Sequence, residues 1–450
     1  MRFHSHSDSS VTSTFADALL ASLAPDGGLW MPDTLPRFDL EGLTRMGAMS
    51  FADSAAELAG HFVDDAFTGD ELREICRDAY DFPLPIRSLK GEPFDAAMTE
   101  EADDLVMELF HGPTLAFKDF AARFMARCVS RLLERRGERR TILVATSGDT
   151  GGAIGDAFLR QKGVKVVILY PEGGVSEVQE RQLTTMGARS NVRALRVRGT
   201  FDDCQALVKE AFADDALRER FDLMSANSIN VGRVVPQSFY YFWSAVRLVA
   251  GFPRRPLVMS IPSGNLGNLT GGLMAVKMGA PISRFVVGHN TNDPFVEYLR
   301  TGRYRPRASI PTLSNAMDIG RPSNIVRIRA LFDDDHKAIR GMCWGNTVSD
   351  VDTERHMRRT HARTGYVMCP HTTVGHLAME RYLESEARDV TPVTVATAHP
   401  AKFQAEVERI LHEDIALPPA LAKLERRRMA VTDIVPQMGA LESYLDGFAR

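Results

Sequence analysis

The sequence predicts an α/β protein with two lobes, built from mostly parallel sheets flanked by helices, with an N-terminal helical portion. Three observations lead to this fold. From about residue 141, compact apolar runs alternate with helical patterns, which is typical of βαβ units and a parallel sheet. Residues 1–93 instead carry helical patterns such as FADALLASLA, separated by Pro and Gly clusters. Helical patterns dominate again after about residue 320, interrupted by one strand-like run, VTPVTVATAHP.

The individual elements follow from these patterns. Strands are predicted at 141–146, 164–171, 192–199, 256–262 and 284–290. Helices are predicted after SGDTGG as far as Gly163, at 176–187, 201–217 and 232–250, and through LTGGLMAVKMG, RHMRRTHARTG and TVGHLAMERYLESEA. The predicted division of the chain is an N-terminal helical portion at 1–93, a first α/β lobe at 94–250 and a second at 251–450.

The composition is that of a globular protein with a sizeable core, since 44% of the 450 residues are hydrophobic and 25% are charged. A net charge of −4 gives no general attraction to nucleic acid or to an anionic membrane, so neither partner is expected. The most apolar run, YYFWSAVRLVAGF, is too short to cross a bilayer and contains Arg247. Five scattered cysteines and an N-terminus without an apolar segment predict a cytoplasmic protein without disulfides.

Two glycine-containing loops each follow a predicted strand and precede a helix: SGNLGN at 263–268 and ATSGDTGG at 145–152. Backbone N–H groups at such a junction can converge on an anion, assisted by the helix dipole. Neither loop has the GxxxxGK[ST] pattern of a nucleotide-binding P-loop. A tight turn that needs glycine, or an N-cap cluster, is the alternative for each loop alone. Two such loops at corresponding strand ends favour a ligand site.

A third polar stretch, SANSINVGR at 225–233, brings Asn227, Ser228, Asn230 and Arg233 close together before a helix. Such a set suits a second anion, because arginine supplies both charge and a fork of donors. A turn followed by a surface arginine is the alternative. Histidines raise the question of a metal site, with His371 and His376 beside Cys369, or His356 with His361. These spacings match no common metal-binding pattern, so no metal is predicted.

Lys118 lies in the stretch HGPTLAFKDF, after three apolar residues and at the start of a helix with an apolar face. Burial disfavours the ammonium form of a lysine and makes the neutral amine available as a nucleophile or base. A buried lysine, anion-binding glycine loops and an α/β sheet together suggest pyridoxal 5'-phosphate as cofactor.

The sequence resembles the threonine synthase family, whose members are pyridoxal-phosphate enzymes of the tryptophan-synthase-β-like, fold type II group. The resemblance extends over nearly the whole chain and follows the order of the family. The motifs that carry it are LAPDGGLWMP (23–32), HGPTLAFKDFA (111–121), ATSGDTGG (145–152), NSINVGRVVPQ (227–237), IPSGNLGN (261–268), TLSNAMDIGRPSN (312–324), CPHTTVGHLA (369–378) and TAHPAKF (397–403).

The resemblance implies a role for each motif residue. Lys118 is implied as the residue that forms the Schiff base with the cofactor and moves protons. Asp149 is implied beside the ring hydroxyl of the cofactor and Thr397 beside its pyridine nitrogen. The cofactor phosphate is implied to lie in a cradle of Gly264, Asn265, Leu266, Gly267 and Asn268. The substrate phosphate is implied to bind Thr146, Ser147, Thr150, Asn227, Ser228 and Arg233.

The activity that the family implies is the conversion of O-phospho-L-homoserine and water to L-threonine and phosphate, a β,γ-replacement that completes threonine biosynthesis. The expected assembly is a monomer or homodimer, and the sequence does not distinguish between them. One alternative is a related pyridoxal-phosphate phospholyase that releases 2-oxobutyrate and differs only in its handling of water at Cβ. The other is a non-catalytic binding protein that kept the fold, against which the intact Lys118 argues.

Overall fold

The computed structural model describes residues 1–63, 66–89, 104–187, 189–251, 255–386 and 389–449. The strands in these residues, in chain order, are β1 (Arg2–Ser5), β2 (Thr12–Thr14), β3 (Trp30–Pro32), β4 (Ile86–Ser88), β5 (Leu105–Glu108), β6 (Arg140–Ala145), β7 (Val164–Pro171), β8 (Val192–Val197), β9 (Leu223–Met224), β10 (Leu257–Pro262), β11 (Arg284–His289), β12 (Cys343–Thr347), β13 (Thr391–Ala396) and β14 (Val431–Ile434).

Helices connect most of these strands. They are α1 (Phe15–Ala21), α2 (Leu40–Ala48), α3 (Phe51–Gly60), α4 (Gly69–Ala79), α5 (Lys118–Arg136), α6 (Asp149–Phe158), α7 (Glu177–Thr184), α8 (Phe201–Ala213), α9 (Asp215–Arg220), α10 (Val231–Gly251), α11 (Gly267–Lys277), α12 (Pro294–Thr301), α13 (Ile325–Leu331), α14 (His336–Met342), α15 (Asp350–Thr364), α16 (Pro370–Ser385), α17 (Gln404–Leu411), α18 (Pro419–Glu425) and α19 (Met438–Ala449). Two short 3-10 helices are formed by Asn315–Met317 and Pro400–Phe403.

Two mostly parallel sheets confirm the predicted α/β class. One has six strands in the order β12-β11-β10-β13-β5-β4, in which only the edge strand β4 is antiparallel to its neighbour. The other has five strands in the order β14-β8-β7-β6-β9, all parallel. Their strands are apolar along most of their length, as in β7, where only Lys165 is not buried. Such continuous runs are required where helices cover both faces of a sheet.

The N-terminal portion is less purely helical than predicted. It includes a small antiparallel sheet in the order β2-β1-β3, together with the edge strand β4 of the six-stranded sheet. Strands of three or four residues carry too few side chains to show a clear period of two, so the sequence pattern did not reveal them. The helix predicted at 201–217 is also two helices, because Asp214 ends α8 and its side chain caps the N-terminus of α9.

The sheets do not follow the predicted division of the chain into contiguous lobes. Strand β5, which precedes Lys118, lies in the six-stranded sheet, together with strands from the second predicted lobe. Strand β14, near the C-terminus, pairs with β8 in the five-stranded sheet, whose other strands come from the first predicted lobe. The predicted boundary at 93/94 lies outside the described residues. The chain therefore passes between the two sheets more than once.

Helix α10 lies in the centre of the core and connects the N-terminal helices to the rest of the molecule. Its Phe239 is fully buried, with ring centroids 6.3 Å from Phe62 and 5.8 Å from Phe124 of α5. All five cysteines are free and buried. Within the described part of the chain, no helix combines the length and the apolar character needed to cross a membrane.

We expect Phe239→Ala to lower the free energy of unfolding by about 3–5 kcal/mol, because it removes a buried ring and leaves a cavity. Urea denaturation followed by circular dichroism measures this change. The control is Val351→Ala, whose side chain is 68% exposed and which we expect to change stability by less than about 0.5 kcal/mol. Equal effects of the two substitutions would contradict the central position of α10.

Candidate active site

The loops predicted to bind ligands leave the same edges of the two sheets. In the six-stranded sheet β10, β13 and β5 are neighbours, so the 263–268 loop, Thr397 and the chain leading to Lys118 all begin at their carboxyl ends. In the five-stranded sheet β6 and β9 are neighbours, and the 145–152 and 225–233 loops follow their carboxyl ends. Ligands of open α/β sheets bind beyond these ends.

Lys118 begins helix α5, and the loop before it (111–117, the lysine loop) is fixed to the end of β13. The N–H of Phe117 donates to the carbonyl of Thr397 at 2.8 Å, and the N–H of His399 donates to the carbonyl of Leu115 at 3.1 Å. Leu115 has a φ of 59°, in the left-handed region that only a few per cent of non-glycine residues adopt. These contacts place Lys118 beside Thr397, which is itself buried.

The Lys118 amine is poised for reaction. Burial lowers its pKa to about 8, although the nearby Asp149 carboxylate acts in the opposite direction. The side chain as a whole keeps some exposure. No hydrogen-bond acceptor for Nζ is found in the described residues. A substantial fraction of this amine is therefore neutral near pH 8, where an ordinary lysine is almost fully charged.

The 145–152 loop is closed by Thr146. Its Oγ1 accepts hydrogen bonds from the N–H groups of Gly148 at 3.0 Å and Gly151 at 2.8 Å, which turns the chain into α6. The helix therefore begins at Asp149, inside the motif, and not after it as predicted. Ser147 and Thr150 are partly exposed. The oxygen of Thr146 is engaged within the loop, so Ser147 and Thr150 have the freer hydroxyl groups.

Asp149 lies at the first position of α6 with its carboxylate between two donors. Its Oδ1 accepts a hydrogen bond from Gln179 Nε2 at 2.9 Å and lies 3.0 Å from Lys402 Nζ. Burial raises the pKa of Asp149, but the ammonium of Lys402 and then Lys118 lower it more, so that it lies well below the ordinary range. Asp149 is consequently ionised at neutral pH.

The 263–268 loop forms a cradle of backbone groups at the start of α11. Leu266 adopts a φ of 61°, and α11 begins at Gly267 without any side-chain cap. The first N–H groups of the helix are thus available to an anion. Gly264 packs closely against the 3-10 helix, where an added Cβ would lie 2.8 Å from Met317 Cα. A side chain at Gly264 would push the two segments apart.

Asn265 connects the cradle to two other segments. Its Oδ1 accepts from the N–H of Ser323 at 2.6 Å, and its Nδ2 donates to the Oγ of Ser228. Asn324 Nδ2 donates to the Asn265 carbonyl at 3.0 Å. The predicted cofactor loop and the 225–233 loop are therefore in direct contact through Asn265 and Ser228.

Asn268 presents an unpaired amide at the same place. Its Oδ1 accepts from the hydroxyl groups of Tyr240 at 2.7 Å and Tyr241 at 2.8 Å, which fixes the orientation of the side chain. Its buried Nδ2 has no partner within the described protein. The neighbouring Ser263 Oγ is also buried and unpaired. Both donors suit an oxyanion held by the cradle.

The 225–233 loop offers a second set of unpaired groups. Arg233 is buried, donates from one Nη to the carbonyl of Ala226 at 2.7 Å and has no partner for Nε in the described part of the chain. Burial lowers the pKa of Arg233 to about 10, so it remains charged. Asn227 Oδ1 is likewise unpaired. Asn230 differs, because its amide holds Leu19 and other backbone groups near α1.

Several residues of the site were not singled out from the sequence. Lys402 belongs to the TAHPAKF motif, and its side chain is fully buried. His371 is buried with Nε2 accepting from the N–H of Ala316 at 3.2 Å, and burial lowers its pKa to about 4. Arg327 is buried and donates to the carbonyl of Ser228 at 3.0 Å. Lysine and arginine at fully buried positions are rare, but burial cannot be read from single residues.

The described residues bring together one group that could hold a metal ion: His356, His376 and Glu380. The two rings are already hydrogen bonded, with His356 Nε2 2.6 Å from His376 Nδ1. Arg359 contacts both Glu380 and His356 Nδ1. A guanidinium at this place competes with a cation for the same carboxylate and ring nitrogen, so we assign no metal to this group.

The residues present fit pyridoxal phosphate. An uncapped helix N-terminus beside unpaired donors suits the phosphate of the cofactor, and a lysine with a lowered pKa suits its aldehyde. Asp149 is ionised beside this lysine.

Comparisons with known proteins agree with this geometry. Residues 105–398 match the family described as pyridoxal-phosphate dependent enzyme, residues 2–80 match threonine synthase N terminus, and residues 372–445 match threonine synthase, C-terminal. A threonine synthase of Escherichia coli strain K12 is 39% identical over 429 residues, which cover 94% of each chain.

Solved structures give the same result. The crystal structure of threonine synthase from Escherichia coli has a TM-score of 0.89 at 37% identity, covering 99% of this chain and 100% of that one. A threonine synthase from Brucella melitensis with bound pyridoxal phosphate has a TM-score of 0.89 at 33% identity, covering both chains fully. On this evidence the chain belongs to the threonine synthase family of pyridoxal-phosphate-dependent enzymes.

Proposed function

We propose that this chain converts O-phospho-L-homoserine and water into L-threonine and phosphate, with the site residues in the roles predicted from the sequence. The observation that carries the proposal is a surplus of buried positive charge. Arg233 and Lys402 both act on Lys118, and in the described residues these three cations face two ionised carboxylates, Asp149 and Asp119. Buried cations without enough carboxylates favour anionic ligands, and the cofactor and this substrate each bring a phosphate.

Pyridoxal phosphate, when bound, supplies an electron sink for carbanions formed on the substrate. Gly264, Asn265, Leu266, Gly267 and Asn268 would hold its phosphate through backbone N–H groups and the free amide of Asn268. Asp149 would face the ring hydroxyl and Thr397 the pyridine nitrogen. Lys118 would bind the aldehyde carbon, which its lowered pKa favours.

The substrate phosphate would bind at the 225–233 loop. Arg233 offers an unpaired Nε and a positive charge. It donates to the carbonyl of Ala226, and Asn227 and Ser228 follow directly in the same loop. Ser147 and Thr150 add hydroxyl groups from the end of β6, the neighbouring strand of the same sheet. Thr146 is the weaker candidate because its oxygen closes the loop. Donors fixed before the reaction stabilise the charge that develops on a departing phosphate.

Lys118 would move the protons of the reaction. Its neutral amine would remove a proton from Cα and then from Cβ, and its ammonium form would return a proton at Cγ after phosphate has left. A pKa of about 8 allows both directions near neutral pH. The other proton removed would leave with the phosphate, and water would add its hydroxyl at Cβ and a proton at Cα to give threonine.

We infer a cytoplasmic location, because five free, buried cysteines suit a reducing compartment. A monomer or homodimer remains our prediction for the assembly.

The proposed reaction is tested directly by supplying the purified protein with pyridoxal phosphate and O-phospho-L-homoserine in deuterated water. We expect phosphate and deuterated L-threonine in equal amounts, followed by phosphorus and proton NMR. Lys118→Ala, which removes the proposed base, should form no threonine while retaining the fold. Phosphate with 2-oxobutyrate would instead support the phospholyase, and threonine from Lys118→Ala would contradict the role of Lys118.

The role of Arg233 is tested by Arg233→Lys, which keeps the charge and removes the fork of donors. We expect KM for the phosphorylated substrate to rise about tenfold to a hundredfold, a range set by charged hydrogen bonds of about 1.5–3 kcal/mol. Steady-state kinetics gives the value. The matched control is Arg247→Lys on the exposed side of the same helix, α10. An unchanged KM in Arg233→Lys would place the substrate phosphate elsewhere.

The cradle is tested by Gly264→Ala. An added Cβ would meet the backbone at Met317 Cα (2.8 Å) and Ala316 O (3.1 Å), so the loop must move. We expect the dissociation constant for pyridoxal phosphate to rise by at least about tenfold, or about 1.4 kcal/mol, in a titration followed by visible absorbance. Gly439→Ala is the control, since nothing lies within 4 Å of its added Cβ. Equal affinities in both variants would contradict the proposal that the cradle holds the phosphate of the cofactor.

A further inference from the structure

Two lysines face the carboxylate of Asp149, and their surroundings differ. Lys118 Nζ has no hydrogen-bond acceptor in the described residues. Lys402 Nζ donates to the carbonyl of Thr114 at 2.7 Å and to Gln182 Oε1 at 2.7 Å, and lies 3.0 Å from Asp149 Oδ1. The side chain of Lys402 is 0% exposed. One lysine is therefore free to react and the other is fixed.

The contacts of Lys402 require its charged form. A neutral amine has two N–H groups, which Thr114 and Gln182 would occupy. Its lone pair would then face the carboxylate of Asp149 at 3.0 Å, which is repulsive. The ammonium places a positive charge there instead. Lys402 consequently keeps its charge through the reaction, whereas Lys118 is the amine that reacts.

We propose that Lys402 is a positioning residue of the active site, a permanent ammonium that keeps Asp149 ionised and holds its Oδ1. The other oxygen of the carboxylate, Oδ2, makes no hydrogen bond in the described residues and stays free for the cofactor. This inference rests on the proposed role of Asp149 beside the cofactor. Lys402 acts through Asp149 and does not need to touch the substrate.

The other groups that face Asp149 cannot replace Lys402. They are Lys118 on α5 and His371 and Cys369 at the start of α16, together with the neutral amide of Gln179 on α7. Burial lowers the pKa of His371 to about 4 and raises that of Cys369, so both are neutral at pH 7. Lys118 changes its charge during the reaction. Lys402 is thus the constant cation.

Asp119 shows how a carboxyl group behaves here without a lysine in contact. It is buried next to Lys118 and accepts hydrogen bonds from the N–H and hydroxyl of Thr114. Burial raises its pKa to about 6, in spite of these bonds. Asp149 is equally buried and has one neutral donor, Gln179. Without Lys402, burial of Asp149 is opposed by Gln179 and the Lys118 ammonium, much as burial of Asp119 is opposed by its two hydrogen bonds. We therefore expect the pKa of Asp149 to rise into the range of that of Asp119.

The test replaces Lys402 with two neutral residues, Lys402→Gln, which keeps a donor for Thr114, and Lys402→Met, which does not. Infrared spectra of the cofactor-free proteins count protonated carboxyl groups between pH 7 and pH 5. We expect each variant to gain one protonated carboxyl with a midpoint near pH 6 relative to the parent. The signal should fall by one carboxyl in Lys402→Gln/Asp149→Asn, since asparagine does not titrate, and any gain that remains there belongs to Asp119, whose pKa Lys402 also lowers.

Kinetics gives the second measurement. The ratio of kcat/KM in Lys402→Gln to that in the parent should fall about tenfold between pH 7 and pH 5, as expected for a group with a pKa near 6. The ratio to the parent cancels the ionisation of the substrate phosphate. Lys402→Arg, which keeps the charge, should show neither the extra carboxyl nor the fall.

Gln179→Met is the matched control, because it removes the neutral donor from the same oxygen and leaves the ammonium in place. It should gain no protonated carboxyl above pH 5. Identical infrared titrations of the parent and both neutral variants would overturn the proposal, as would an equal gain in Gln179→Met. The infrared titration uses neither cofactor nor substrate, so its result stands even if the parent enzyme makes no threonine.

Discussion

The contact between the lysine loop and the end of β13 is the constraint on which the geometry of the site depends. Phe117 and Thr397 join through a backbone hydrogen bond, and Ala116 and Ala398 form an isolated bridge beside it. Strand β13 belongs to the six-stranded sheet, whereas α5 leads into β6 of the five-stranded sheet. The same few residues therefore fix Lys118 relative to both sheets. Lys402, from the segment that follows β13, repeats this connection by its ion pair with Asp149 on α6.

The sequence predicted most of the two large sheets, for a simple physical reason. Parallel strands covered on both faces need long apolar runs, and β6, β7 and β10 show such runs clearly. The beginnings of α6 and α11 were misplaced, because glycine and asparagine in ATSGDTGG and SGNLGN are read as loop residues. In the structure Asp149 and Gly267 already lie in helices. The glycines of these two motifs are needed for close packing and for the turn into the helix. Helix propensity, which counts glycine as unfavourable, does not reveal this need.

The residues proposed for the site differ in how clearly the sequence reveals them. Lys118, Asp149 and the cradle carry recognisable local signals, since a lysine after apolar residues and glycine loops after strands are visible in short stretches. Lys402 gave no such signal, because its partners are 288 and 220 residues away, at Thr114 and Gln182. Gln179 was hidden in an ordinary capping box with Ser176. Residues whose role lies in long-range contacts require the fold before they can be recognised.

Arg327 places a buried positive charge between the segments that form the site. Its buried guanidinium donates to the carbonyls of Trp30, Ser228 and Ile229 and to Asn324 Oδ1, all of which are neutral. Burial lowers its pKa to about 9, so it stays charged at neutral pH. Removing one ion from water costs on the order of several kcal/mol. Hydrogen bonds to neutral groups offset only part of this cost, so the buried charge destabilises the ligand-free fold.

The position of Arg327 explains why this cost is tolerated. It holds the backbone of the 225–233 loop, and through Asn324 it also holds the cradle. An anion bound at either place lowers the electrostatic energy of the same guanidinium, and a ligand that binds only the folded state raises its stability. The two proposed phosphate sites thus share one support, a guanidinium whose contacts in the described residues are with neutral groups.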